Sequence, residues 1–168
     1  RQLPGFLDLS FTTICGYAEN GAIVHYAADE KSNRRLCAKG MVLVDSGGQY
    51  MGGTTDVTRT IVLGGISGEE KRIFSLVAAA MLRLAEAVFP EGATGRNLDI
   101  LAWQGLWKAH LDYKHGTGHG IGYILNVHEG PQRISWQYQK DAQEYALRAG
   151  MLISDEPGMY LAGQFGVR

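Results

Sequence analysis

The chain has 168 residues, 45% of them hydrophobic, which is one domain's worth of sequence and enough to bury a core. A formal net charge of -1, with no lysine or arginine run, excludes the electrostatic footprint of a nucleic-acid or anionic-membrane binder. No stretch approaches the roughly 20 apolar residues of a membrane span, and two cysteines, Cys15 and Cys37, are too few for a disulfide framework and fit a reducing, cytoplasmic setting.

Residues 1–20 alternate through LDLSFTTICGYAEN, and Glu19-Asn20-Gly21 offers a turn before AIVHY, so a hairpin is predicted with His25 on its second arm. A lone histidine in such a strand reads first as a packed core residue. The polar segment 27–40 predicts a loop. Between Met41 and Leu63 an apolar run, MVLV, leads into Asp45, and a β-prone run, TTDVTRTIVL, surrounds Asp56, with GGQYMGG between them. A hairpin turning near Tyr50 and Met51 would pair residues whose numbers sum to about 101, which makes Asp45 and Asp56 cross-strand neighbours. Bare carboxylates about 5 Å apart repel. A dication between them reverses the sign, and hard oxygen donors suit manganese, magnesium, or a mixed-ligand zinc or cobalt site. Two solvated aspartates on an exposed hairpin are the competing reading.

Ser67-Gly68-Glu69-Glu70 matches a capping box and starts a predicted helix over 68–89, with apolar residues at 73, 76, 77, 80, 81, 84, 87 and 88 and Pro90 as its stop. A second helix is predicted over 97–109, with Leu98, Leu101, Ala102 and Leu106 on one face and Trp103 and Trp107 off that stripe. In LDYKHGTGHGIGYILNVHEGP the alternating glycines rule out a regular helix, so His115 and His119 are not the i, i+4 pair of a helical zinc motif. Nor do they make a dinucleotide fingerprint, because Ile121 or Tyr123 stands where the third glycine belongs. Glycine lets backbone approach a bound ion closely while histidines serve as ligand and proton carriers. Three histidines on a surface loop are the alternative. In GMLISDEPGMYLAGQFGVR, two strands are predicted with Pro157-Gly158 as their turn, and Glu156 ends an apolar run where an unpaired acid would be costly. Asp45, Asp56, His119 and Glu156 thus form an oxygen-rich set with one nitrogen, and Asp155 is left out as facing the other way.

Together GAIVHY, DSGGQYMGGTTDVTRT, HGTGHGIGYILNVHEGP, ISDEPGMY and the closing FGVR resemble the catalytic domain of aminopeptidase P, the Xaa-Pro aminopeptidases of the pita-bread metallopeptidase superfamily. The resemblance implies an α+β fold of the pita-bread (creatinase/aminopeptidase-like) type. It would be a curved, mainly antiparallel sheet with helices on its convex face, with 1–168 forming a single, partial catalytic domain. It implies two divalent metals, manganese first with zinc or cobalt as alternatives. Asp45 would hold one metal through both oxygens, Asp56 would bridge, and His119 and Glu156 would complete the second site. It also implies substrate-binding and proton-handling roles for His25, His115 and His128, with Arg168 near the last ligand and Tyr160 beside the substrate. Peptides with proline second are the implied substrates, the full-length protein is implied to be a homodimer, and no nucleic acid or membrane partner is implied. The family's fifth ligand, a bridging glutamate, falls two positions past Arg168, so the chain reads as truncated at both ends. Proline dipeptidase, an inactive pita-bread binding module or fragment, and a metal-free creatine-hydrolysing relative are the alternatives.

Overall fold

The structure, a computed structural model, describes residues 2–137 and 143–168. In chain order it contains β1 (Phe6–Leu9), β2 (Ile14–Tyr17), a 3-10 turn (Ala18–Ala22), β3 (Met41–Ser46), β4 (Gly48–Tyr50), β5 (Gly53–Thr54), β6 (Val57–Val62), α1 (Gly68–Ala85), α2 (Gly95–Leu98), α3 (Ile100–Lys108), β7 (Gly118–Ile121), β8 (His128–Ile134), β9 (Met159–Leu161) and β10 (Phe165–Val167). All strand pairs are antiparallel, in four small sheets ordered β1-β4-β5, β2-β3-β6, β7-β8 and β9-β10. The α+β class expected from the sequence is what forms.

β3 is the centre of its sheet because MVLV is apolar on both faces and so tolerates a neighbour on each edge; Met41, Val42 and Leu43 are all buried. Its register with β6 differs from the expected one. Asp45 stands opposite Thr58, not Asp56, and the turn lies at Met51-Gly52, where Tyr50 pairs with Gly53. The pair sum is two higher than expected, and a slip of two preserves the face of every side chain. Asp56, two residues before Thr58, is therefore a diagonal neighbour of Asp45, a spacing of roughly 7–8 Å in a regular ladder.

The expected hairpin, turning at Glu19-Asn20-Gly21 with His25 on its second arm, does not form. β1 pairs with β4 and β2 with β3. The 3-10 turn replaces the second arm and leaves His25 exposed in a turn. Buried Asn20 fixes this corner, donating from Nδ2 to the Tyr26 hydroxyl at 3.0 Å and the Ser32 carbonyl at 2.8 Å.

α1 starts at the capping box: Ser67 Oγ accepts from the Glu70 N–H at 3.1 Å and Glu70 Oε2 accepts from the Ser67 N–H at 2.7 Å. It ends at Ala85, short of the expected residue 89, because burial stops at Leu84 and Val88 is fully exposed; a helical turn without packing has little to hold it. Its buried face is Ile73, Val77, Ala80 and Leu84. The second expected helix is two, broken at Asp99, and the first begins earlier because Asn97 Oδ1 accepts from the Thr94 N–H at 2.9 Å. Trp103 is not peripheral: it is 1% exposed and stacks on Tyr113 with ring centroids 3.6 Å apart. It anchors a cluster with Ala80, Leu84, Leu98, Ala102 and Leu106. A second cluster joins Ile73 and Val77 to Met41, Met159, Phe165 and Val167, so α1 spans both halves of the core.

Pro157-Gly158 is not the final hairpin turn. β9 begins after it, and Phe165 pairs with Leu161 around Gly163, whose φ of +71° suits glycine. The segment before Pro157 instead lies against β7, with Ile153 bridging to Gly120.

Candidate metal centre

Two backbone segments laid side by side build the site. The Ser154 N–H donates to the His119 carbonyl and the Glu156 N–H to the Thr117 carbonyl, both at 2.8 Å, so His119 and Glu156 are carried on laced neighbours. The approach needs Gly118, since a Cβ there would lie 2.0 Å from the Ser154 carbonyl oxygen. Ser154 Oγ tightens the join, accepting from the His119 N–H at 3.0 Å and donating to Glu156 Oε1 at 2.7 Å. Asp56 arrives from the other side, on the residue before β6.

Three acceptor groups converge as a result. His119 Nε2 lies 3.2 Å from Asp56 Oδ2 and 3.0 Å from Glu156 Oε1. Its Nδ1 faces the Gly120 carbonyl at 3.0 Å, which assigns the ring proton to Nδ1 in the neutral form and leaves Nε2 with a lone pair. The distances are those of hydrogen bonds, yet Nε2 is buried without one, because a proton in the ring plane would point at neither oxygen. Adjacent donors around a six-coordinate ion with bonds of about 2.1 Å stand about 3 Å apart. Each carboxylate thus stands from Nε2 at the spacing of two neighbouring ligands of a divalent cation, and Asp45 Oδ1, also buried without a partner, adds a further orphaned acceptor.

Asp45 is joined to this group through Arg168. Arg168 Nη2 donates to Asp45 Oδ2 at 2.6 Å, its Nε lies 3.9 Å from Glu156 Oε2, and its side chain is only 3% exposed. Thr58 Oγ1 accepts from Arg168 Nε at 3.3 Å, and the Arg168 N–H donates to Thr60 Oγ1 at 3.2 Å, which ties the arginine to β6. One guanidinium thus offsets part of the charge of two carboxylates, Asp45 and Glu156.

The protonation states follow from these neighbours. Burial by itself lowers the His119 pKa, but the Asp56 and Glu156 carboxylates overturn that and push it up to about 10. Burial would raise Glu156, but His119, Ser154 and Arg168 hold it below the usual carboxylate range. Burial, followed by the Glu156 charge, pushes Asp155 up to about 7, and both of its oxygens are buried without partners. It takes no part in the convergence.

The remaining histidines are arranged unequally. His115 Nδ1 bonds the Gly116 carbonyl at 2.8 Å and its Nε2 meets the Tyr160 hydroxyl at 2.8 Å; Arg168 Nη1 donates to that same hydroxyl at 3.0 Å. Burial lowers the His115 pKa, opposed by the Gly116 carbonyl. His128 is exposed, its ring centroid 3.9 Å from that of His119, and burial and the His119 charge lower its pKa. Donor atoms of Asp56, His119 and His128 lie within 4.8 Å of one another. His25 sits apart, on the rim of a cavity of about 350 Å³ that it shares with Val24, Tyr113, His115 and Tyr160. A larger cleft of about 710 Å³ is lined by Asp56, Thr58, Phe74, Glu156 and Arg168. Sequence reasoning missed Ser154 and Thr58. The signal for Ser154 was its place two residues before Glu156, on the same face of an extended segment.

The chain is 49% identical over 164 residues to aminopeptidase P2 of Arabidopsis thaliana, covering 98% of this chain and 23% of that protein. Among solved structures it resembles X-prolyl aminopeptidase of Caenorhabditis elegans, a cytosolic enzyme with a di-nuclear active site, with a TM-score of 0.92 and 39% identity over 99% of this chain and 26% of that one. It also resembles the prolidase of Pyrococcus furiosus, with a TM-score of 0.82 and 33% identity over 97% of this chain and 45% of that one. The chain thus spans about a quarter of the length of the curated relatives it matches, and its α+β fold is of the pita-bread type. The model of metallopeptidase family M24 matches residues 1–168 without remainder, and the chain belongs to that family.

Proposed function

We propose that this chain is the metal-binding part of a single catalytic domain that removes an amino-terminal residue when proline follows it. The observation that carries the reading is that His119 Nε2, buried without a hydrogen bond, lies 3.2 Å from a carboxylate oxygen of Asp56 and 3.0 Å from one of Glu156. Asp45, Asp56, His119 and Glu156 would hold two divalent ions, manganese first. When bound, such ions supply a hydroxide nucleophile near neutral pH and polarise the carbonyl it attacks.

The chain's own residues do the rest. His115, neutral through burial and with Nδ1 committed to Gly116, keeps Nε2 free to exchange a proton with Tyr160 or with the substrate. Arg168 orients the Tyr160 hydroxyl toward that nitrogen while holding Asp45 in place. His128, exposed beside His119, offers a ring nitrogen to the scissile carbonyl, and His25 closes the small cavity on the side of the departing proline. The whole protein would act in the cytoplasm on Xaa-Pro peptides, as a homodimer.

Manganese stoichiometry and peptide hydrolysis test the reading. Two ions per chain and release of the first residue from an Xaa-Pro-Xaa tripeptide are expected, with both lost in Asp56→Asn. A chain that binds no manganese, or an Asp56→Asn variant with full activity, refutes it. Proline dipeptidase is the second reading, favoured by the likeness to prolidase; hydrolysis of Xaa-Pro dipeptides but not tripeptides would select it. Metal binding without hydrolysis of either would mark an inactive module.

A further inference from the structure

Asp99 is a buried carboxylate held, among the described residues, by two neutral hydrogen-bond donors. It is 1% exposed, at the break between α2 and α3, far in sequence from the histidine loop. Its Oδ1 accepts from Thr117 Oγ1 and its Oδ2 accepts from the Trp136 N–H at 2.6 Å. An ionised acid in such a place is costly unless its oxygens are occupied, and one of the two groups that occupy them, Thr117, leads to the metal centre.

Thr117 is fully buried, and each of its polar groups is committed. Its N–H donates to the Ile134 carbonyl at 2.9 Å, its carbonyl accepts from the Glu156 N–H at 2.8 Å, and its hydroxyl donates to Asp99. Because that hydroxyl proton is spent on Asp99, Thr117 Oγ1 accepts from the Tyr113 hydroxyl. The Tyr113 ring is clamped against Trp103 on one face and lies 4.9 Å from the His115 ring. One carboxylate therefore terminates two branches. Thr117 leads to the backbone of Glu156 and, two residues on, to His119; Tyr113 leads to His115.

We propose that Asp99 is the positioning residue of this site: by taking the Thr117 hydroxyl it fixes the backbone that carries His119 and Glu156, and through Tyr113 it seats His115. The inference rests on the metal-centre reading above. A threonine hydroxyl bonded to a carboxylate in a dry core has one orientation, which pre-organises donors that lie two residues away. Replacing the hydroxyl by a methyl group of the same shape leaves the packing and removes that orientation.

The test is manganese affinity, measured by titration with manganese chloride on the 168-residue chain, beside its thermal midpoint. Thr117→Val and Asp99→Asn are each expected to weaken manganese binding about tenfold, the lower end of the range for groups that orient metal ligands. Thr117→Ser, which keeps the hydroxyl, is expected to restore wild-type affinity. Leu106→Ala, a cavity in the same α3 core, is expected to lower the thermal midpoint while leaving affinity unchanged. Wild-type affinity in Thr117→Val, or equal losses in Thr117→Val, Thr117→Ser and Leu106→Ala, overturns the positioning role while the metal reading stands. Absence of manganese binding in the wild-type chain overturns both.

Discussion

Metal binding at this centre should compete directly with a proton on His119. In the metal-free chain the ring is flanked by Asp56 and Glu156, which push its pKa up to about 10, so near neutral pH Nε2 carries a proton and has no lone pair to give. Glu156, held below the usual carboxylate range, brings no competing proton. An ion that enters at about pH 7 therefore displaces a proton bound some three pH units more tightly than solution pH would allow, which lowers the apparent affinity about 1,000-fold from its alkaline limit. Between about pH 7 and about pH 8.5, affinity for the ion that takes His119 should rise about tenfold per pH unit, with one proton released as that ion binds. Asp155, pushed up to about 7, adds a fraction of a proton at the lower end, so the slope is read above it. Isothermal titration with manganese in buffers of different ionisation enthalpy counts the protons directly. An affinity flat across this range, with no proton released, would refute the claim that the two carboxylates hold His119 charged.

The same linkage affects stability without metal. The folded-state pKa of His119 lies above its ordinary value of 6.5, so its stabilising contribution is complete below about pH 6.5 and is lost as pH rises toward about 10; urea midpoints of the metal-free chain should fall across that window, and those of the manganese-loaded chain should fall less. Arg168→Met leaves the buried Asp45 carboxylate without its guanidinium and should cost about 3–5 kcal/mol of unfolding free energy. Urea denaturation measures this, and partial recovery on adding manganese is expected because the ion replaces the lost positive charge. Trp103→Ala opens a cavity against Tyr113 and should cost about 3–5 kcal/mol by the same assay; a loss under about 1 kcal/mol would mean that the aromatic stack adds little to the core.

What the sequence by itself determined are the features that depend on neighbours a few residues away. Ser67 and Glu70 set the start of α1 because a capping box closes within one turn. The apolar run from Met41 placed a strand that carries Asp45, and the glycines around His119 signalled a close backbone approach, which Gly118 makes against Ser154. The chemical types of the converging groups could be read there too, because acids ending apolar runs and histidines among glycines are costly without a partner. Tertiary structure alone decided which groups meet. The register that sets Asp45 opposite Thr58 follows from where the glycine-rich turn closes, and no local pattern distinguishes Tyr50-Met51 from Met51-Gly52. The split of the first expected hairpin between two sheets, and the burial of Trp103, depend on which surfaces α1 and α3 bring together. Arg168 reaches Asp45 across 123 positions and Asp99 reaches Thr117 across 18. A long-range ion pair or buried hydrogen bond leaves no periodicity in the chain, because its two halves are chosen by the fold that brings them into contact.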